Sequence, residues 1–105
     1  MSVDISLMCK SHDYKLVDQT TNTFKTSSWR LSKQRATKLI GGNVTLTESR
    51  NSPAYLGGKV VDVIPNGTSR FDIIFEANKS YTGNTVAVNH PGWGNGRAVC
   101  FIHNS

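Results

Sequence analysis

Lys59-Val60-Val61-Asp62-Val63-Ile64-Pro65-Asn66-Gly67-Thr68-Ser69-Arg70-Phe71-Asp72-Ile73-Ile74-Phe75-Glu76 decides the fold. Lys59 to Ile64 is, after its leading lysine, nearly all apolar apart from Asp62, as expected of a strand covered on both faces. Phe71, Ile73 and Phe75 alternate with Asp72, Ile74 and Glu76, the period of two that puts one set on the core and the other on solvent. Between them, Pro65-Asn66-Gly67 signals a turn. Two strands and a tight connection make an antiparallel hairpin.

Working outward, the same alternation recurs. Val3, Ile5, Leu7 and Cys9 share one face of an N-terminal strand, Val44 and Leu46 mark another, and Tyr14 to Val17 a short one. Val86 to Val88 and Ala98 to Ile102 read as two more strands. Asp18 to Ser28 is polar and threonine-rich, with only Phe24 as an anchor, and reads as a loop.

One helix is expected. Ser32 is a suitable N-cap, Leu31 before it can pack on Ala36, and Ala36, Leu39 and Ile40 form a narrow apolar stripe. Gly41-Gly42 supplies the stop. The expected architecture is α+β but mainly β: a single small domain over residues 1–105. It is a bent antiparallel sheet or partly open β-barrel of six or seven strands with one short helix.

A chain of 105 residues has room for one core and no second domain. With 37% hydrophobic and 18% charged residues it can offset its ordering entropy, so it is globular rather than disordered. No apolar run approaches the roughly 20 residues of a membrane helix, and no basic region precedes an apolar leader, so the expectation is a cytoplasmic protein with no membrane partner. Cys9 and Cys100 are then expected as reduced thiols rather than a disulfide.

Twelve Lys and Arg against seven Asp and Glu leave a formal charge of +5. Its placement says more than its sum. Gln19 to Thr47 contains no acidic residue, and Lys25, Arg30, Lys33, Arg35 and Lys38 fall inside that stretch. Such a local excess suits a polyanion, and these five are the candidate nucleic-acid-binding residues. A solvated helix face is the plain alternative.

Chemistry-bearing constellations are few. Cys9-x2-His12 and Cys100-x2-His103 have the residue types of a zinc site, but strand geometry would point Cys100 and His103 to opposite faces. Buried thiols are the expected reading, with no metal and no cofactor. No nucleophile sits in a glycine-flanked elbow, and Gly92-Trp93-Gly94-Asn95-Gly96 lacks the lysine and helix of a phosphate loop. A non-enzymatic protein is therefore expected. Trp93 between glycines and Tyr55 beside Gly57-Gly58 are candidate stacking surfaces, with Arg50, Arg97 and His90 as polar partners; these five are the candidate ligand-binding residues. The competing reading has Trp93 plugging the end of the sheet, its indole N–H bonded to a carbonyl. Trp29 reads as core.

Trp29-Arg30-Leu31-Ser32, Ile40-Gly41-Gly42-Asn43-Val44-Thr45-Leu46, Pro53-Ala54-Tyr55-Leu56-Gly57-Gly58-Lys59-Val60 and Phe71 to Phe75 resemble stretches of small proteins from bacterial mobile gene cassettes and phages. More broadly, the run from about Trp29 to Phe75 is similar to pseudo-barrel domains of the PUA, ASCH and EVE kind. The resemblance implies a barrel that binds RNA or a modified base in a cleft lined by aromatic and basic residues. The leading expectation is a binding module for nucleic acid or a nucleotide-like ligand. The alternatives are a homodimer formed through sheet edges, and a small-molecule-binding protein around His90 and Trp93.

Overall fold

The fold is that of a computed structural model describing residues 3–9, 12, 14–93 and 98–103, with the side chains of Ser28 and His103 outside that description. Seven strands run along these residues: β1 (Val3–Met8), β2 (Tyr14–Asp18), β3 (Thr23–Arg30), β4 (Asn43–Thr47), β5 (Leu56–Pro65), β6 (Arg70–Ala77) and β7 (Val99–His103). The helix α1 (Lys33–Lys38) interrupts them after β3, and two 3₁₀ turns, Lys79–Tyr81 and Pro91–Trp93, lie between β6 and β7. The strands form one sheet in the order β2-β3-β6-β5-β4-β1-β7, bent but not closed. It is a small, mainly-β α+β domain, as the alternation predicts. Among the described residues, no helix is long and apolar enough to cross a membrane.

Register puts the apolar set on one face. Ile5 pairs with Val44 and Phe101, Leu7 with Leu46 and Val99, Val60 with Phe75, and Phe24 with Phe75. Ile5, Leu7, Val44, Leu46, Val60, Ile73 and Phe75 are all buried, and α1 with its C-cap adds Ala36 and Leu39 to the same core. Each buried Val, Leu, Ile or Phe among them contributes about 1.5–3 kcal/mol by leaving water. On the opposite face Trp93, Ala87 and Cys100 form a second, smaller cluster against Met8 and Ile102.

The helix begins as expected. Ser32 caps it, its hydroxyl accepting from the Arg35 N–H at 3.2 Å, and Gly41 beyond its end takes φ +89°. Only Ala36 and Leu39 of the stripe are buried; Ile40 is exposed, because the helix stops at Lys38 and the chain has already turned.

Several expectations are corrected. The segment read as a loop, Asp18 to Ser28, holds most of β3, whose inward residue Thr26 is fully buried and accepts a hydrogen bond from the Trp29 indole at 3.0 Å. A polar residue on the core face hid the alternation. Val86 to Val88 is a series of turns, with Ala87 buried under Trp93 and Val86 exposed. The strand covered on both faces is β6, where Phe71 to Phe75 are all buried, rather than β5, where Val61 and Ile64 meet solvent. Asp72 is accordingly buried and not on a solvated face; Asn66 donates to its Oδ1 at 3.0 Å. The β1–β4 pairing is parallel, so the sheet is mixed. That pairing is reached through β2, β3 and α1, a connection no local pattern reveals.

Candidate functional site: an arginine-lined groove at the open side of the sheet

Trp29 sits near the end of β3, where it pairs with Phe71, and Arg30 follows, paired with Arg70 of β6. Val99 and Phe101 belong to the edge strand β7. Four strands separate β3 from β7 in the sheet, yet Trp29, Arg30, Arg35, Arg70, Ala98, Val99 and Phe101 line a single cleft of about 550 Å³. Sheet curvature brings the two sides together, and incomplete closure leaves the gap.

The cleft continues at both ends. Arg30 and Leu31 lead into a hollow of about 590 Å³ completed by Ser32, Thr68 and Ser69. Ser69, in the turn between β5 and β6, has φ +57° and is held by its carbonyl, which accepts from the Leu31 N–H at 3.0 Å. On the other side, Arg35 and Phe101 border a smaller recess of about 290 Å³ with Val3, Ser32, Gln34 and Lys38. Shared walls make one groove of the three, and none of the described lining residues is acidic.

The Arg35 guanidinium lies over the Phe101 ring, 4.8 Å from its centroid, a contact worth about 0.5–1 kcal/mol at an exposed position. Arg30, Arg35 and Lys38 are exposed, so their charge is available to an anion without a buried-charge penalty. Guanidinium groups bind phosphate through two parallel N–H donors, and ring faces stack on bases. What the groove can do, chemically, is bind.

Of the five basic residues singled out in the sequence, Arg30, Arg35 and Lys38 meet here. Lys33 is exposed on α1 outside the lining, and Lys25 lies on β3 opposite Lys15 and Ile74. The ligand-binding set does not converge. Trp93 is only 1% exposed, and its indole N–H donates to the Ala87 carbonyl at 2.6 Å, so no ring face is left for a ligand. Tyr55 is stacked on His12 at 3.9 Å and donates its hydroxyl to the Cys9 carbonyl at 2.7 Å; burial, and after it the neighbouring Cys9 side chain, push its phenol up. His90 accepts from the Gly92 N–H at 2.9 Å through Nδ1, which also stands 3.5 Å from the Cys100 sulfur. Arg50 accepts from the Asn89 N–H through its carbonyl and lines none of the three hollows. Arg97 lies outside the described residues, as does the His103 side chain.

The two cysteines point to opposite faces of the sheet. Cys9 is in the main core and Cys100 under Trp93, where burial pushes its thiol up. Among the described residues no group of three or more His, Cys, Asp or Glu is placed to hold a metal.

Phe101, Arg70 and the open side of Trp29 were not legible as site residues. The one signal was the juxtaposition Trp29-Arg30 at the end of the acid-free stretch. Comparisons with family models, with curated proteins and with solved structures find no match for this chain.

Proposed function

We propose that this protein is a binding module for nucleic acid or a nucleotide-like ligand, received in the groove between β3, α1 and β7. The observation that carries the reading is the sharing of one cleft by Trp29, Phe101, Arg30, Arg35 and Arg70, with no acidic residue among its described walls. Phosphates are met by guanidinium and ammonium groups, and bases by ring faces. The resemblance to pseudo-barrel domains, which implies a cleft of aromatic and basic residues, supports the same reading.

Equilibrium titration of single-stranded RNA and duplex DNA across a salt series tests it. Three or four phosphate contacts on a single strand predict a log–log slope of about −2 to −3. Replacing Arg30 and Arg35 together by alanine should weaken binding about ten- to a hundredfold, whereas Lys33→Ala, outside the lining, should change it little. Absence of binding at low salt overturns the proposal.

A further inference from the structure

We infer that the ligand of this groove is an unpaired nucleic-acid strand, one base of which takes the Phe101 ring face now covered by Arg35; the inference rests on the function proposed above. Three observations carry it. First, the groove is longer than one nucleotide needs. The hollow beside Thr68 and Ser69 and the cleft over Phe101 are each about the size of a small-ligand site, and Lys38 borders a third recess beyond them. A mononucleotide fills one of these and leaves the others to water, whereas a strand occupies them in succession.

Second, a cation recurs along the track: Arg30 at the hydroxyl-lined hollow, Arg35 at the ring, Lys38 at the far recess. That is the arrangement a repeating phosphate backbone meets. Third, the stacking surface is recessed in the groove. In a duplex each base face is already covered by its neighbours, so only an unpaired base can stack on Phe101.

The cation–π contact of Arg35 supplies the exchange. A guanidinium resting on a half-buried ring at the groove wall holds it more weakly than a stacked base does. The incoming base displaces it, and the released guanidinium pairs with the adjacent phosphate. Phe101 is then the stacking platform, and Arg35 keeps the ring covered when the groove is empty.

The test uses fluorescein-labelled oligouridylates of two to eight nucleotides, UMP, and a blunt duplex, titrated by anisotropy at low salt. Affinity should rise with length up to about four nucleotides and then level off, with UMP and the duplex at least tenfold weaker. Phe101→Leu should lower oligonucleotide affinity about five- to a hundredfold, and Phe101→Tyr should restore most of it. Arg35→Ala should reduce the salt slope by about one contact. Thermal melts of each variant separate loss of ligand from loss of fold. Duplex or UMP binding as tight as the longest strand overturns the inference while leaving the binding module standing. Failure of every nucleic acid to bind removes both.

Discussion

Trp93 shows how little a residue's neighbours in sequence say about its exposure. Glycines on either side suit a ring offered to a ligand, yet the indole is enclosed and hydrogen-bonded to Ala87. Gly92 explains the arrangement. A Cβ there would lie 2.8 Å from the Phe101 carbonyl and 2.9 Å from the Cys100 sulfur, so the glycine serves close packing on β7 and not ligand approach. Trp29, read as core, is half-buried and packs against the main core as expected, and it also lines the groove. A second residue-scale case is Thr47, fully buried with a hydroxyl that has no hydrogen-bond partner among the described residues. A buried, unsatisfied hydroxyl costs about 1–3 kcal/mol. Thr47→Val keeps the shape and removes the penalty, so denaturant unfolding should show a gain of about 1 kcal/mol. A loss would mean the hydroxyl has a partner after all.

At the scale of elements, the hairpin β5–β6 and the cap of α1 formed where local pattern placed them, because turn chemistry and an N-cap act within a few residues. β3 escaped notice because its core-facing side includes Thr26, a threonine satisfied by Trp29 rather than a hydrocarbon. Strand packing also sets a glycine requirement. Gly58 pairs with Val44 on one side and Ala77 on the other, and a Cβ there would come within 1.9 Å of the Glu76 carbonyl oxygen. Backbone cannot yield as a flexible side chain does. Gly58→Ala should therefore destabilise by about 3 kcal/mol, lowering Tm by roughly 10–20 °C. Gly67→Ala, at φ +94° but with open space around it, should cost only about 1 kcal/mol. Equal losses at the two sites would show that β5 and β6 are not packed this closely.

For the whole molecule, burial of the Cys100 thiol and the Tyr55 phenol ties stability to alkaline pH. Both folded values lie above the unfolded ones, so the unfolded chain releases these protons first. The stabilisation is complete below about 9 for the thiol and about 10 for the phenol, and is lost as pH rises from there toward the raised folded values. Thermal melts between pH 7 and 11 should show Tm falling above about 9. Cys100→Ala should remove the earlier part of the fall and Tyr55→Phe the later part. An unchanged profile in both variants would place the alkaline loss elsewhere. The groove belongs to the same scale, since it exists only because the sheet curls far enough for β3 and β7 to share a cleft, and stops short of closing.

Alternation, caps and turn residues act over two to five positions, so the sequence by itself determined a mainly-β domain with one short helix, and the acid-free stretch that carries Arg30, Arg35 and Lys38. It also held both readings of Trp93 without choosing between them. Only the tertiary structure decided which indole is covered and that β1 lies parallel to β4. It also decided that Phe101, some seventy residues from Trp29, faces the same hollow. The reason is that exposure is not a property of a residue or its neighbours. It depends on which distant element packs over the side chain, and that is settled only when the sheet assembles and bends.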